Sequence, residues 1–325
     1  MFNLVLTLAF ILAGLSYGNE YPSHVSKTLK KIKEGVYGVF GVYEQVSYEN
    51  RGFISNAYFV TTKEGVLVFD TLTTYKLGKE LIETIKSITD KPIKFAVISH
   101  YHTDHFYGAG AFKSEGAVLI AHEWSLEYVS KPSSWNFYEA RKKLLKEHMD
   151  GTEMVEPDIT ITRDLDIHMG GLKFEVRRFC KAHTPGDIVL WIPDKRVLFS
   201  GDIVFDGRLP FLGSGNSKGW LVCLKKILEL DPDVLLPGHG KPMLTKERIR
   251  DRVKWTYKYI DDLRKTIRRF VEEGQDLDYI RENINNALLE IDPSYAQVPV
   301  FFDVNPVNAY YVYFEVENEL IEEGQ

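Results

Sequence analysis

The chain has 325 residues, of which 44% are hydrophobic and 13% aromatic, so it can bury a large core and is not an intrinsically disordered protein. Its formal net charge of -6 argues against a nucleic-acid-binding protein that depends on a basic surface. The only two cysteines, Cys180 and Cys223, lack CxxC spacing, so the sequence supports no disulfide framework, and we interpret Cys180 as a buried structural thiol.

The first 18 residues resemble a secretory signal peptide. Residues 4–15 form an apolar run that is short for a membrane span, and Ser16-Tyr17-Gly18 supplies small residues before a plausible cleavage site. Because only the α-amino group is positive at this end, an uncleaved N-terminal anchor is the alternative. The sequence therefore predicts an exported, periplasmic protein with no stable membrane span after signal removal.

The next stretch of the chain predicts a sheet with one helix. Apolar residues spaced by three and four between residues 73 and 88 predict an amphipathic helix. Short runs rich in apolar and β-branched residues predict strands at residues 36–44, 52–61, 65–70, 92–99 and 117–121.

The rest of the chain repeats this mixture of strands and helices. Residues 123–150 combine aromatic residues with many charges, which indicates helices that cover one face as a lid. Further strands are predicted at residues 159–162, 172–179, 188–192, 197–199 and 234–236. Further helices are predicted at residues 220–230, 245–270, 277–289 and 307–317, with an irregular connection at residues 293–305. Sheets with helices in both halves predict an α+β protein in which two sheets pack face to face, an αββα sandwich.

One six-residue stretch concentrates metal-ligand chemistry. His100, His102, Asp104 and His105 follow the predicted strand at residues 92–99 directly, where polar side chains can converge without disrupting a sheet. Imidazole nitrogen and carboxylate oxygen suit zinc, iron or manganese. A polar loop that merely contains histidines is the alternative interpretation.

Three later residues of ligand type complete the pattern. His183, Asp202 and His239 each follow an apolar run and lie in a turn that contains glycine. Each alone could be an ordinary hydrogen-bonded turn residue. Four strand ends that all offer such side chains are hard to explain without a metal.

With HxHxDH followed by separated His, Asp and His, the chain resembles the metallo-beta-lactamase superfamily over roughly residues 36–245. The resemblance implies a four-layer αββα sandwich, with a signal peptide at 1–18, a metallo-beta-lactamase-like domain at 19–245 and a C-terminal helical extension at 246–325. Carried over position by position, it implies metal one on His100, His102 and His183, metal two on Asp104, His105 and His239, and Asp202 bridging both. Asp70 matches the family's acidic residue at the end of an early strand, which usually has a supporting role.

The resemblance implies a metal-dependent hydrolase with two zinc ions. On this interpretation a hydroxide that bridges the two metals attacks an ester, thioester or amide of a small molecule. Asp104 would hold metal two and orient the hydroxide. A role for Asp104 as a ligand alone is the alternative. Antibiotic-hydrolysing members typically have Cys or another residue where this chain has Asp202, and many have a nearby Lys where it has Phe205, so lactam hydrolysis is not expected. The ligand set is also similar to that of glyoxalase II-like hydrolases, without their basic glutathione-binding pattern.

Looser motifs indicate a subgroup. They resemble exported zinc hydrolases associated with quinoprotein relay and sulfur-oxidation systems, and they lie at residues 201–205, 208–211, 219–221 and 305–308. A mononuclear iron oxygenase acting on persulfides, with His100, His183 and Asp202 as ligands, is an alternative function. A metal-binding protein without turnover is another.

Several neighbouring residues are candidates for supporting roles. Arg208 and Ser214 could meet a substrate, and solvent exposure is the alternative reason for their presence. Tyr101, Thr103 and Asp187 could orient the imidazoles, or make ordinary loop hydrogen bonds. We expect a small-molecule substrate and no nucleic-acid partner, and the sequence does not indicate an oligomeric state.

Overall fold

The computed structural model describes residues 21–324, so the predicted signal peptide at residues 1–18 lies outside the described residues. The described part of the chain forms two β-sheets and a set of α-helices. The strands are β1 (Lys30–Lys33), β2 (Val36–Val39), β3 (Ala57–Thr61), β4 (Val66–Phe69), β5 (Ile93–Val97), β6 (Val118–His122), β7 (Ile159–Ile161), β8 (Leu165–Met169), β9 (Leu172–Arg177), β10 (Val189–Ile192), β11 (Val197–Gly201) and β12 (Val234–Pro237). The helices are α1 (Tyr75–Lys86), α2 (Thr103–Phe106), α3 (Ala109–Ser114), α4 (Glu123–Ser130), α5 (Pro132–Leu145), α6 (Ser217–Leu230), α7 (Lys246–Glu272), α8 (Leu277–Ile291) and α9 (Phe301–Glu323).

The two sheets have related topologies. The first sheet has the order β1-β2-β3-β4-β5-β6-β7, antiparallel from β1 to β4 and parallel from β4 to β7. The second has the order β12-β11-β10-β9-β8, antiparallel except for the parallel pair β11 and β12, which α6 connects. Because parallel strands end at the same edge of a sheet, the loops after β4, β5, β11 and β12 are placed to meet.

Three hydrophobic cores separate four layers. Successive side chains of a strand point to opposite faces, so Tyr58 and Leu190 face the core between the sheets, while Phe59 and Trp191 face outward. The outer face of the first sheet packs against α1 and α3, and that of the second packs against α6 and α7, where Ile260 is fully buried. This confirms the predicted αββα sandwich.

The last three helices pack against one another and against α6 over the second sheet. Helix α9 begins at Phe301, six residues earlier than predicted, and it contains Pro306. Proline has no N–H to donate to the carbonyl four residues before it, here that of Phe302. The Asn285 amide of α8 donates to that carbonyl instead, at 3.2 Å, so the helix continues through the proline.

The interpretation of Cys180 as a free thiol is wrong. Cys180, just after β9, and Cys223, in α6, form a disulfide with a Cα–Cα distance of 5.7 Å. The packing of α6 against the second sheet brings the two residues within the range that a disulfide requires, although they are 43 residues apart. The structure adds two strands that were not predicted, β1 and β8. None of the helices in residues 21–324 combines the length and the apolar character needed to cross a membrane.

Candidate metal centre

The seven predicted ligands meet at one edge of the sandwich, between the two sheets. His100 and His102 follow β5, and the four-residue helix α2 then presents Asp104 and His105. From the second sheet, His183 lies in the loop between β9 and β10, Asp202 follows β11, and His239 follows β12. The side chains form a first group of His100, His102 and His183 and a second group of Asp104, His105 and His239, and a further set of His100, His105 and Asp202 overlaps both. Within each set the donor atoms lie within 4.8 Å of one another.

The first group is a cluster of three imidazoles. The His102 Nδ1 lies 3.1 Å from His100 Nε2 and 2.8 Å from His183 Nε2. Burial lowers the pKa of His102 to about 3 and that of His183 to about 4. Both rings are therefore neutral at physiological pH, which is the form that binds a metal.

The second group combines a carboxylate with two imidazoles. The His239 Nε2 lies 3.1 Å from Asp104 Oδ2 and 3.4 Å from His105 Nε2. Burial disfavours a charged His105, but the carboxylates of Asp202 and Asp104 outweigh this and raise its pKa well above the ordinary value. These carboxylates would likewise favour a metal cation beside the ring.

Asp202 lies between the two groups. Its Oδ2 is 3.5 Å from His183 Nε2 and 3.3 Å from His239 Nε2, while its Oδ1 is 3.3 Å from His105 Nε2. The buried Oδ1 has no hydrogen-bond partner among residues 21–324. A buried carboxylate oxygen without a donor is costly in a protein interior, and a metal cation would compensate for the missing donor.

Each imidazole is held at its outer nitrogen by a hydrogen-bonding group. The pairs are His100 Nδ1 with Ser99 Oγ at 2.9 Å, His102 Nε2 with Ser214 Oγ at 3.1 Å, His105 Nδ1 with Asp70 Oδ2 at 2.8 Å, His183 Nδ1 with the Phe211 carbonyl at 3.0 Å, and His239 Nδ1 with the Ile54 carbonyl at 2.8 Å. Three of these partners only accept hydrogen bonds, so a proton lies on the outer nitrogen and the inner nitrogen is left for a metal ion, which would replace the second proton that the raised pKa of His105 otherwise favours. Inner nitrogens that converge in this way fit a metal ion.

Asn56, just before β3, and Tyr58, in β3, support the loop that carries His239, which lies across the gap between the sheets. The Asn56 amide donates to the carbonyls of Pro237 and Gly240, at 2.9 and 2.8 Å, and the Tyr58 hydroxyl donates to the Pro237 carbonyl at 2.7 Å. Gly238, in the same loop, cannot be replaced without movement, because an added Cβ would lie 2.1 Å from Asp202 Oδ1. These hydrogen bonds join the two sheets beside the candidate metal ligands.

The His183 loop has its own support. The carboxylate of Asp187 accepts hydrogen bonds from the Ala182 and Thr184 N–H groups and from the Thr184 hydroxyl. Asp187 therefore fixes the turn that carries His183, and its hydrogen bonds go to that turn and not to an imidazole. The disulfide at Cys180 lies three residues before His183.

The other candidates from the sequence take different places. Ser214 contacts His102, and an Arg208 guanidinium nitrogen lies 3.4 Å from His239 Nδ1. The Tyr101 ring stacks on Tyr128 at a centroid distance of 4.9 Å. Thr103 is buried in α2, where its carbonyl accepts from the Tyr107 N–H.

Sequence reasoning missed the carbonyls that hold His183 and His239, because a backbone carbonyl leaves no trace in residue type.

Comparisons with known proteins agree with this architecture. The family model described as Metallo-beta-lactamase superfamily matches residues 50–239. The chain is 25% identical over 258 residues to a linear primary-alkylsulfatase from a Pseudomonas species, covering 69% of this chain and 49% of the relative, so it spans about half the length of that protein. It is 28% identical over 207 residues to a type 2 metallo-beta-lactamase from a Bacillus species, covering 62% of this chain and 72% of the relative.

Solved structures show the same fold. A metallo-beta-lactamase from Pontibacter korlensis superposes with a TM-score of 0.56 and 21% identity, covering 72% of this chain and 98% of that one. A stereoselective inverting sec-alkylsulfatase from a Pseudomonas species superposes with a TM-score of 0.67 and 18% identity, covering 88% of this chain and 49% of that one. At these identities the likeness concerns the fold alone.

Proposed function

The chain belongs to the metallo-beta-lactamase superfamily, and we propose that within it the protein is a binuclear zinc hydrolase of small-molecule esters, thioesters or amides. The observation that carries the proposal is the convergence of four imidazoles, those of His100, His105, His183 and His239, on one buried carboxylate, that of Asp202, which lies between two groups of donor atoms. A single metal would leave one of these groups without a cation.

The assignment of ligands follows the two groups. His100, His102 and His183 would hold one ion, Asp104, His105 and His239 the other, and Asp202 would serve both. When bound, two zinc ions would supply a hydroxide nucleophile at neutral pH and stabilise negative charge that develops on the substrate.

Asp104 is the ligand that we assign to orienting the nucleophile. Its side chain is 15% exposed, compared with 5% for Asp202, so it lies at the more open side of the centre, where water and substrate can enter. Its outward carboxylate oxygen can accept a hydrogen bond from the attacking water and hold it in line with the substrate.

Metal analysis tests the proposal directly. Protein purified without added metal should contain about two zinc ions per chain by elemental analysis, and an Asp104→Ala variant about one, because the variant loses a ligand of one ion only. The wild type should also hydrolyse members of a panel of 4-nitrophenyl esters, thioesters and lactones. One iron per chain, unchanged by the substitution, would contradict the binuclear centre and favour the persulfide oxygenase.

Hydrolysis of sulfate esters is a second candidate reaction, favoured by the similarity to the linear primary-alkylsulfatase over 258 residues. Release of inorganic sulfate from a linear alkyl sulfate, measured beside ester hydrolysis under the same conditions, distinguishes the two reactions.

We also propose that the protein functions in an oxidising compartment outside the cytoplasm. The Cys180–Cys223 disulfide supports this, because such bonds persist in secreted and periplasmic proteins and are rare in the reducing cytosol. Fractionation of cells that express the full chain would locate it, and recovery in the cytosol with free thiols would contradict this proposal.

A further inference from the structure

An arginine lies on the buried face of α5, a helix in the segment that the sequence predicts to be a lid. Helix α5 buries Ser134, Tyr138 and Leu145, and Arg141 falls on the same face, seven residues after the first and four before the last. A charged side chain in this position is unusual, because the inward face of a covering helix is normally apolar.

The Arg141 guanidinium lacks the partners that usually accompany a buried cation. Its Nε is buried without a hydrogen-bond partner within residues 21–324, and no carboxylate in that range forms an ion pair with it. The Phe137 ring lies 4.9 Å away, but that ring is itself largely exposed and provides weak stabilisation. Arg141 is half-buried, and keeping its Nε from water without a partner is unfavourable unless something else completes the site.

The groups that Arg141 faces belong to the metal centre and its wall. Burial lowers the pKa of Arg141, and the carboxylate of Asp104 together with the phenols of Tyr107 and Tyr128 acts against this. The two phenols hydrogen-bond each other at 3.1 Å, and Tyr128 stacks on Tyr101 beside the ligand loop. The Tyr107 ring also lies 5.8 Å from that of Tyr138, three residues before Arg141, so this face of α5 packs against the wall of the centre.

A second cation lies near the centre, beside the outer nitrogen of His239. The Arg208 guanidinium lies 3.4 Å from the His239 ring, and no described carboxylate forms an ion pair with it. Since the His239 Nδ1 proton goes to the Ile54 carbonyl, Arg208 makes no true hydrogen bond there and its donors remain available. Arg208 therefore adds positive charge near the centre, and bound zinc would add to that charge.

We propose that Arg141 is a substrate-binding residue that receives an anionic oxygen group of the substrate, a carboxylate or a sulfate, beside Asp104. The planar guanidinium matches two oxygens of either group, and the buried position strengthens the pairing. This inference rests on the proposed function for its reaction, and it adds the class of substrate: anionic esters in preference to neutral ones.

Matched substrates test the proposal. Hydrolysis of mono(4-nitrophenyl) succinate and of 4-nitrophenyl sulfate is compared with that of neutral 4-nitrophenyl acetate, for the wild type and for Arg141→Gln. The ratio of kcat/KM for an anionic substrate to that for the acetate should fall about ten- to a hundredfold in Arg141→Gln, mainly through KM. Arg141→Lys, which keeps the charge, should recover part of the ratio. The control is Lys142→Gln, the same loss of charge at the next, exposed position of α5, and it should leave the ratio unchanged.

Direct binding separates this proposal from the hydrolase proposal. Succinate and inorganic sulfate are titrated calorimetrically into zinc-loaded protein at fixed ionic strength, a measurement that needs no turnover. Weaker binding to Arg141→Gln, with no hydrolysis by the wild type, would support the anion site and contradict the proposed reaction. A loss confined to succinate or to sulfate identifies which group Arg141 receives. Equal binding and equal ratios in wild type and variant, or no anion binding by the wild type, would overturn the proposal.

Discussion

Asp70 determines which nitrogen of His105 faces the metal centre. This buried carboxylate accepts hydrogen bonds from the Ser99 N–H at 2.7 Å, from the Ser99 hydroxyl at 2.9 Å and from His105 Nδ1 at 2.8 Å. Because His105 Nδ1 donates its proton to Asp70, the other ring nitrogen, Nε2, faces Asp202 and His239. Ser99 in turn contacts His100, so this one carboxylate orients a ligand in each group.

An Asp70→Asn substitution should therefore damage the site while changing little volume. The asparagine amide can present an N–H to His105 Nδ1, which favours the tautomer with its proton on Nε2, where the metal binds. We expect the affinity for the second zinc to fall about ten- to a hundredfold, measured by competition with a chromophoric chelator. Asp90→Asn, at a position that is 92% exposed, is the control and should bind zinc like the wild type. Equal zinc affinity in both variants would show that Asp70 does not set the tautomer.

His122 provides a prediction about pH. Burial, together with the nearby Arg178, lowers its pKa from 6.5 to about 4, and its Nε2 has no hydrogen-bond partner among the residues described. Between these two values the unfolded chain binds a proton that the folded chain does not, so this residue reduces the free energy of unfolding as the pH falls from about 6.5 to about 4. His122→Asn keeps a side chain that can accept from the Trp124 N–H but cannot be protonated.

Urea unfolding at pH 7.5 and 5.0 measures the effect. The wild type should lose of the order of 1–2 kcal/mol more than His122→Asn between the two pH values. Loss of metal at low pH affects both proteins alike and cancels in the difference. Parallel pH dependence of the two proteins is the result that would refute this assignment.

At this scale, the sequence predicted the ligand types but not what orients them. The stretch at residues 100–105 was recognisable because three imidazoles and a carboxylate in six residues are rare unless they bind a metal. The carbonyls of Ile54 and Phe211 were not, since every residue carries a carbonyl and only the fold selects which one faces an imidazole. Arg141 was hidden for a related reason: its significance depends on what lies beneath α5.

Among the secondary-structure elements, α6 has the most connections to the site. The disulfide joins it to the segment after β9, and the Trp220 indole donates to the Ile203 carbonyl, just after Asp202. At its start, the Glu315 carboxylate of α9 accepts from the Ser217 N–H and hydroxyl. A short segment carrying His183 is thus held between a strand and a helix that are each packed in a core.

Removing the disulfide should loosen this segment. A Cys180→Ser/Cys223→Ser variant should lose about 2–4 kcal/mol of unfolding free energy, because the bond closes a long loop in the unfolded chain. The affinity for the zinc ion on the His183 side should fall as well. The measurement is denaturant unfolding and zinc competition with and without a thiol reductant. The reductant should weaken the wild type and leave the variant unaffected, and a wild type insensitive to reductant would contradict this.

The elements that were predicted well are those with a buried, regular pattern. Strands β4, β10 and β12 lie within or beside the predicted ranges because both of their faces are buried and their sequences are continuously apolar. Strand β1 was missed because three of its four residues are lysines, which its exposed edge position permits. The Cys180–Cys223 pair was missed because nothing in two cysteines 43 residues apart shows that they meet.

Across the whole molecule, the C-terminal helices contact the loop that follows Asp202. The Asn308 side chain of α9 accepts from the Leu212 N–H at 2.9 Å and donates to the Pro210 carbonyl at 2.8 Å. Phe211, between these two residues, supplies the carbonyl that orients His183. The looser motifs at residues 201–205, 208–211, 219–221 and 305–308 therefore lie in one connected region, and the subgroup that they resemble stays a prediction.

An Asn308→Ala substitution should affect a metal site to which Asn308 contributes no ligand. It leaves buried polar groups of the Leu212 loop unpaired, which costs about 2–4 kcal/mol of stability, and it frees the Phe211 carbonyl to move. Zinc affinity on the His183 side should fall, measured by chelator competition at a temperature where the variant stays folded. Asn286→Ala, at an exposed position of α8, is the control. If both variants keep wild-type zinc affinity, the C-terminal helices do not support the centre.

The wide separation of the ligands along the chain has a consequence for the order of events during folding. His105 and His239 are 134 residues apart and belong to different sheets, so they meet only after both sheets have formed and docked. Contacts between such distant segments form late, because their loop-closure entropy must be overcome before they stabilise anything. A chain still emerging from a ribosome before residue 239 has no complete second group. If the proposed zinc centre forms, tight zinc uptake during refolding would therefore mark the end of the process and would not nucleate it.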